Sequence, residues 1–181
     1  MWKPNLLLDV LYQVRTISKQ EPILLIGGGG KFASSVRNLQ KEWHFSDDAA
    51  HWMAIAGMEQ FSHMLIDILL DVQVLEKPGV PEVGSPAVFL PYSFLRVNDD
   101  LPHKWTVTSD SIAAYLCSQL PLISFGKVTC VEGQSEIDPF FIDILEKYNI
   151  ICHLIAIKNK YDLESFQKYL SGDTSGFPVV S

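Results

Sequence analysis

Four consecutive glycines followed by a lysine form the part of this sequence best suited to binding an anion. The glycines are Gly27, Gly28, Gly29 and Gly30, and they come directly after the short apolar run of residues 23–26. An unbroken apolar run bounded by glycine predicts a strand that is covered on both faces. Glycines lack Cβ atoms and let backbone N–H groups approach a ligand closely, and the helix predicted from Lys31 adds partial positive charge at its N-terminus. The pattern therefore favours a phosphate site.

The glycine stretch fits neither of two standard phosphate motifs. The spacing Gly-x-Gly-x-x-Ala from Gly28 matches the dinucleotide fingerprint, but the acidic residue expected about 20 positions later, at the end of a second strand, is missing. Asp47 and Asp48 lie near that distance and are predicted to begin a helix instead. The Walker pattern also fails, because Phe32 stands where Ser or Thr is required. A structural glycine-rich turn is the alternative interpretation.

A second polar cluster, Thr108, Ser109 and Asp110, precedes a predicted helix rich in small residues. A helix cap alone would explain Ser109 and Asp110. A carboxylate at the start of a helix could equally orient a lysine or a metal ion beside a phosphate. His51 also has two interpretations, either as a site residue or as a hydrogen-bonded packing residue beside an apolar helix.

Alternating apolar runs and amphipathic stretches predict an α/β sandwich in a single domain over residues 1–181. Asn5 is predicted to cap the first helix, and Ser46 a long helix whose apolar stripe should be buried. The other predicted elements are a loop at 77–100 with a short strand at 87–91, a turn at 98–102, strands at 122–133 and 150–157, helices around 140–145 and 163–169, and a glycine-rich polar tail.

Charge and composition argue against several classes of protein. The net charge of −7 and the pI near 5.1 disfavour nucleic acid or an anionic membrane as the main partner. No signal-peptide pattern is evident, and no apolar run reaches the roughly 18 residues of a membrane span, so a cytoplasmic location is expected. Cys117, Cys130 and Cys152 lack the spacing of a zinc site, and no metal-ligating set is predicted.

Three stretches together resemble the amino-acid kinase superfamily, the group that contains aspartokinase, acetylglutamate kinase and uridylate kinase. They are Gly-Gly-Gly-Gly-Lys-Phe-Ala from Gly27, Ser-Asp-Asp-Ala-Ala-His-Trp-Met-Ala-Ile from Ser46 and Trp-Thr-Val-Thr-Ser-Asp-Ser-Ile-Ala-Ala from Trp105. They look most like the branch that serves methanofuran biosynthesis, a one-carbon cofactor pathway.

The resemblance implies a three-layer αβα sandwich with a mainly parallel sheet, the carbamate kinase-like fold. It also implies phosphorylation, with ATP and Mg, of a small molecule that bears a phosphate or a carboxylate. The expected assembly is a homodimer or a heteromer with a related chain.

The same resemblance implies roles for individual residues. Asp110 matches the aspartate that orients catalytic lysines in this superfamily. The phosphate and acceptor side is expected to comprise Gly27, Gly28, Gly29, Gly30, Lys31, His51, Thr108 and Ser109. The stretch from Lys127 is similar to a Lys-x-x-x-Val-Asp-Gly segment that contacts ATP, so Lys127 is expected both to bind nucleotide and to act in catalysis. On the nucleotide side the resemblance adds Glu132, in place of the usual Asp, with Gly133 and Asp138.

Members of the family open with a strand carrying Lys-x-Gly-Gly-Ser, whose lysine stabilises the transferring phosphoryl group. The residues here start at the helix that should follow, so a fold truncated at its N-terminal strand and lacking that catalytic lysine is expected. Such a gap in the sheet could be covered by a partner chain. Three hypotheses stay open: an active kinase that takes charge from Lys31, Lys127 or a partner, a catalytically degenerate subunit that binds a ligand or a partner chain, and an unrelated α/β nucleotide binder.

Overall fold

The computed structural model describes residues 2–120, 124–130 and 137–180 as helices packed on mainly parallel strands. The helices are α1 Pro4–Ile17, α2 Gly30–Trp43, α3 Asp47–Leu69, α4 Pro91–Asn98, α5 Ser109–Ser118, α6 Pro139–Tyr148 and α7 Leu163–Leu170, with a 3₁₀ turn at Lys160–Asp162. The strands are β1 Leu24–Ile26, β2 Gln73–Leu75, β3 Ala87–Phe89, β4 Phe125–Thr129, β5 Cys152–Ala156 and β6 Val179–Val180. The α/β class predicted from the sequence is confirmed.

The strands of the described residues form two three-stranded sheets. In the first, β3 is central and parallel to both neighbours, so Val88 is aligned with Leu25 on one side and with Val74 on the other. All three residues of β3 are buried, as expected for an apolar strand covered on both faces. In the second sheet, β5 is central, parallel to β4 and antiparallel to β6.

Helix α1 connects the two sheets through a shared apolar cluster. Val10 and Val14 are 5% and 1% exposed, and they belong to the same cluster as Ile155 of β5. Leu25 of β1 packs against that cluster as well. A second, larger cluster includes Ile55, Met58, Phe89, Leu116 and Phe141. The first helix therefore holds strands that are distant in sequence.

Helix α3 begins where the sequence predicted. The side chain of Ser46 accepts a hydrogen bond from the Ala49 N–H at 3.2 Å, which confirms the predicted cap. Ala50, Met58 and Leu65 of the predicted stripe are buried. Among the residues that the structure describes, no helix combines the length and the apolarity needed to cross a membrane.

The prediction that Asn5 caps α1 is wrong. Lys3 occupies the N-cap without a side-chain hydrogen bond, and Pro4 takes the first helical position. Proline suits that position because it has no N–H to satisfy and its fixed φ is already helical. The helix therefore begins at Pro4, two residues before the start that a cap at Asn5 would give.

Several short elements were missed. The strand predicted at 87–91 ends at Phe89, and Pro91 begins α4 inside the predicted loop. Strand β2 was not predicted, and β6 lies in the predicted polar tail. Strands of two or three residues are too short to show a period in the sequence. For the strand predicted at 122–133, β4 is the described part, and residues 121–123 and 131–136 lie outside the described residues.

Candidate active site

A cleft of about 170 Å³ opens between the glycine loop, α3 and the start of α5. Its lining residues are Gly29, Gly30, Ala33, Ser34, Arg37, His51, Ala54, Met58, Trp105, Val107, Thr108, Ser109 and Ile112. Backbone amides, one guanidinium and one imidazole therefore share the cleft with apolar side chains. This mixture is typical of a site for a small ligand.

The glycine loop packs against α3 at Gly27 and lines the cleft at Gly29 and Gly30. A Cβ atom on Gly27 would lie 2.6 Å from Ser62 Oγ and 3.2 Å from the Met58 carbonyl oxygen, so glycine is required for the loop to approach α3. Gly30 has φ +51, and no atom lies within 4 Å of the position its Cβ would take. Gly29 and Gly30 line the cleft where α2 begins, and this helix N-terminus favours an anion there. The structural interpretation thus holds at Gly27, whereas phosphate binding at Gly29 and Gly30 stays a prediction.

The two predicted catalytic residues lie together. Lys127 Nζ on β4 lies 2.5 Å from Asp110 Oδ2 in the first turn of α5, and their side chains are 10% and 22% exposed. Burial raises the pKa of Asp110, the hydrogen bond and charge of Lys127 oppose the rise, and the nearby charge of Asp138 adds to it. A carboxylate that is costly to ionise, next to a lysine, is typical of a functional site. Neither residue is among those that line the cleft, but Asp110 follows directly after Ser109, which does line it.

The Asp138 side chain accepts hydrogen bonds from residues at the starts of two helices. Its buried carboxylate accepts hydrogen bonds from the Thr108 N–H at 3.1 Å and hydroxyl at 2.6 Å, from the Ser111 hydroxyl, and from the Phe141 N–H at 2.7 Å. The last of these caps α6. Asp138 therefore ties the start of α5 to the start of α6, while its expected nucleotide contact stays a prediction.

Thr108 is the residue that caps α5. Its hydroxyl oxygen accepts a hydrogen bond from the Asp110 N–H at 3.3 Å, so the alternative in which Ser109 or Asp110 caps the helix is not the observed arrangement. Thr108 and Ser109 both line the cleft, as the acceptor-side prediction requires. The Asp110 side chain does not cap the helix and instead accepts a hydrogen bond from Lys127.

His51 is buried and lies in a cluster of polar side chains. Its Nε2 atom is 2.7 Å from Asp99 Oδ2, and the same oxygen is 3.1 Å from His103 Nε2. His103 Nδ1 lies 2.6 Å from Asp48 Oδ1, and the two imidazole rings stack with centroids 3.9 Å apart. Burial raises the pKa of Asp99, but hydrogen bonds from His51, the Leu101 N–H and His103 outweigh burial and leave the pKa lowered. His51 thus both lines the cleft and is hydrogen-bonded, as its two interpretations suggested.

Arg37 and Trp105 line the cleft and were missed as site residues. The Arg37 guanidinium carbon lies 4.5 Å from the centroid of the Trp105 ring, and Trp105 Nε1 donates to Gln40 Oε1 at 2.5 Å. The sequence did contain a signal for Arg37, because positions 30, 33, 34 and 37 fall on one helix face. Trp105 had no such signal, since its place depends on a contact across 65 residues with Gln40.

The remaining predicted residues fall elsewhere. Lys31 is exposed and is not among the residues that line the cleft. Gly27 and Gly28 precede the part of the loop that forms its wall. Glu132 and Gly133 lie outside the described residues. For Lys31, Glu132 and Gly133 the expected roles stay predictions.

Comparison with known proteins supports the resemblance. No family model matches the chain. Over 120 residues it is 30% identical to the [5-(aminomethyl)furan-3-yl]methyl phosphate kinase of Methanocaldococcus jannaschii, an alignment that covers 61% of this chain and 53% of that protein. The crystal structure of uridylate kinase from Archaeoglobus fulgidus superposes with a TM-score of 0.69 and 16% identity, covering 99% of this chain and 94% of the other. The chain has the amino-acid kinase fold.

The amino-acid kinase fold confirms the resemblance to that superfamily and the expected α/β sandwich with a mainly parallel sheet. Both similar proteins are kinases. The chain spans about half the length of the curated relative.

Proposed function

We propose that this chain is an ATP-dependent phosphotransferase whose small acceptor, bearing a phosphate or a carboxylate, binds in the cleft. The observation that carries the proposal is the Asp110–Lys127 pair, because it holds an ammonium group beside a cleft suited to an anion. Phosphoryl transfer needs little covalent chemistry from a protein and depends on positioning and on positive charge. A largely buried lysine, oriented by a carboxylate, supplies both.

The proposal assigns a separate role to the glycine N–H groups, to Lys127 and to Asp110. The N–H groups of Gly29 and Gly30, at the start of α2, orient the anionic part of the acceptor. Lys127 stabilises the negative charge on the phosphoryl group during transfer, and Asp110 keeps its ammonium in place. When bound, ATP supplies the phosphoryl group and Mg offsets its charge. Asp110 and Lys127 are the described residues suited to hold this metal–nucleotide complex, since they offer one carboxylate and one ammonium.

The cleft wall suggests the class of acceptor. Arg37 supplies a planar cation that pairs well with phosphate, and Trp105 supplies an aromatic face beside it. This combination suits a small aromatic phosphate ester. The similar archaeal kinase is named for a furanylmethyl phosphate, which is an acceptor of this class. We therefore propose a place for the chain in methanofuran or one-carbon cofactor synthesis.

The test is acceptor-dependent ADP release by the purified full chain with ATP and Mg. The acceptors are [5-(aminomethyl)furan-3-yl]methyl phosphate and, as a comparison, uridine monophosphate. We expect turnover with the first, lost in Lys127→Gln and retained in the matched control Lys158→Gln, which changes an exposed lysine. Full turnover in Lys127→Gln would refute the assigned role.

A second candidate is a degenerate kinase-like subunit that binds a ligand or a partner chain without catalysis. The observation that favours it is the burial of Asp138 among donors from α5 and α6, which occupies a carboxylate expected on the nucleotide side. Calorimetric binding of ATP without ADP release from any acceptor would favour this candidate. Light scattering would then show whether the chain forms the proposed homodimer or needs a related chain.

The proposal includes a cytoplasmic location. Cys117, Cys130 and Cys152 are free, which suits a reducing compartment. Burial raises the pKa of Cys117 to about 12 and that of Cys152 to about 11, so both are protonated packing residues at neutral pH.

A further inference from the structure

We propose that His51, Asp99 and His103 form a binding site for a divalent transition-metal ion, with Zn²⁺ as the best match. This site goes beyond the proposed kinase activity, and its test does not depend on that activity. The three side chains come from two parts of the chain, the first turns of α3 and the segment that follows α4. One ligand atom from each lies within 4.8 Å of the other two.

The three ligand atoms lie close together around one carboxylate oxygen. Asp99 Oδ2 lies 2.7 Å from His51 Nε2 and 3.1 Å from His103 Nε2. Zinc binds imidazole nitrogen and carboxylate oxygen at about 2.0–2.1 Å in a tetrahedral arrangement, which places ligand atoms roughly 3.3 Å from one another. The two distances from Asp99 therefore need to lengthen by about 0.6 Å for His51 and about 0.2 Å for His103 before an ion can take the place between these atoms.

The groups behind the ligands are also those of a metal site. His103 presents Nε2 to the cluster while its Nδ1 lies 2.6 Å from Asp48 Oδ1, the carboxylate–histidine arrangement that fixes a metal-binding imidazole. The other oxygen of Asp99 accepts a hydrogen bond from the Leu101 N–H at 2.9 Å, which orients this carboxylate. The Trp52 ring packs edge-on against both imidazoles. Each ligand is thus held in place by a further contact.

The charges favour a cation at this point. His103 lies between two carboxylates, with Nδ1 2.6 Å from Asp48 Oδ1 and Nε2 3.1 Å from Asp99 Oδ2. A divalent ion would make the contacts to Asp99 and both Nε2 atoms while His103 keeps its hydrogen bond to Asp48. The side chains of His51 and Asp99 are each 4% exposed, so little water competes, and His103 at 27% gives the ion a path from solvent.

The two imidazole nitrogens favour Zn²⁺ over Mg²⁺, which prefers oxygen atoms only, and Zn²⁺ also accepts a carboxylate. Three protein ligands leave one tetrahedral position open for water or for a ligand atom. Bound there, the ion would fasten the segment after α4 to α3. That segment leads to Trp105 and Thr108, so the ion would also fix one wall of the cleft.

The test is calorimetric titration of the chelator-treated full chain with Zn²⁺ alone, followed by optical spectroscopy with Co²⁺ alone. We expect one ion per chain, a visible Co²⁺ spectrum typical of nitrogen and oxygen ligands, and affinity reduced by more than about 100-fold in Asp99→Asn and in His103→Gln. Asp48→Asn, which alters the group behind His103, should weaken binding by about 10–100-fold.

Two matched controls separate this site from other metal-binding groups. His63→Gln removes an exposed histidine of the same helix, and Cys130→Ser removes the least buried thiol, and both should bind Zn²⁺ as the unaltered chain does. No binding to the unaltered chain, or equal affinity in His103→Gln, would overturn the proposal. A thiolate-to-cobalt absorption band would do so even if the histidine variants failed to fold.

Discussion

Lys127 Nζ and Asp110 Oδ2 lie 2.5 Å apart in a largely buried pair, yet the pKa of Asp110 is raised. Burial is the largest cause of that rise, so the lysine offsets only part of the cost of ionising the carboxylate. An arrangement that is unfavourable for stability and favourable for charge placement is expected where a protein does chemistry.

We expect Asp110→Asn to lose at least about 100-fold in kcat, because the amide no longer holds the Lys127 ammonium in place. The variant should nevertheless be at least as stable as the unaltered chain at neutral pH, since it removes a carboxylate that is costly to ionise. Coupled ADP release and urea unfolding measure the two effects. Asp143→Asn, an exposed change on α6, is the control and should alter neither. A clear loss of stability in Asp110→Asn would contradict the expectation.

The raised pKa of Asp110 should make the free energy of unfolding depend on pH. A carboxyl group with a raised folded-state pKa stabilises the folded protein fully below its ordinary value of 3.8, and this contribution is lost as pH rises through the raised pKa. The free energy of unfolding of the unaltered chain, relative to Asp110→Asn, should therefore fall as pH rises through that window. Urea titrations between about pH 3 and pH 7 measure this difference. A difference that grows with pH would show the opposite sign of the pKa shift.

Gly27→Ala should destabilise the fold by about 1–3 kcal/mol, because its Cβ would lie 2.6 Å from Ser62 Oγ and 3.2 Å from the Met58 carbonyl oxygen on α3. Gly28→Ala is the matched control, since its Cβ would meet Ser109 Oγ at an ordinary 3.6 Å. Urea unfolding of both variants separates close packing from a general effect of the loop. Equal free energies of unfolding for Gly27→Ala and Gly28→Ala would contradict the packing role assigned to Gly27.

Arg37→Gln should raise the KM for a phosphate-bearing acceptor by about tenfold or more and leave the KM for ATP unchanged, because Arg37 lines the cleft in which we propose that the acceptor binds. Lys41→Gln removes an exposed cation from the same helix and serves as the control. Steady-state kinetics with each substrate varied separately gives both constants. An increase confined to the KM for ATP would move Arg37 to the nucleotide side.

Asp138→Asn should lower the free energy of unfolding by about 1–2 kcal/mol, since an amide cannot satisfy all of the N–H and hydroxyl donors around it. Its affinity for ATP decides between a structural and a nucleotide-binding role. Unchanged calorimetric affinity in a destabilised variant would assign Asp138 to the structure alone. A selective loss of ATP binding at unchanged stability would restore the role that the resemblance implies.

The sequence predicted those parts of the fold that depend on local rules. The Ser46 cap, the strand before Gly27 and the last helix appear where periodicity and capping placed them. The need for glycine at position 27 could not be predicted in this way, because it arises from close packing against Ser62 and Met58 of α3, which are distant in sequence.

The residues of the candidate site also divide into those that the sequence selected and those that only the fold brings together. The polar cluster at the start of α5 and the resemblance selected Asp110, the resemblance alone selected Lys127, and the fold brings the two together. The partner of His51 is 48 residues away, and no spacing rule relates Asp99 and His103 to α3. Long-range side-chain contacts of this kind require the fold itself.

Helix α1 has a consequence for the synthesis of the chain. Val10 and Val14 pack with Ile155 and Phe166, which the ribosome adds long after them. While the intervening strands are being made, the apolar face of the first helix lacks these partners and is open to chaperones or to other nascent chains. The yield of folded protein should therefore depend on how well this one helix is protected during translation.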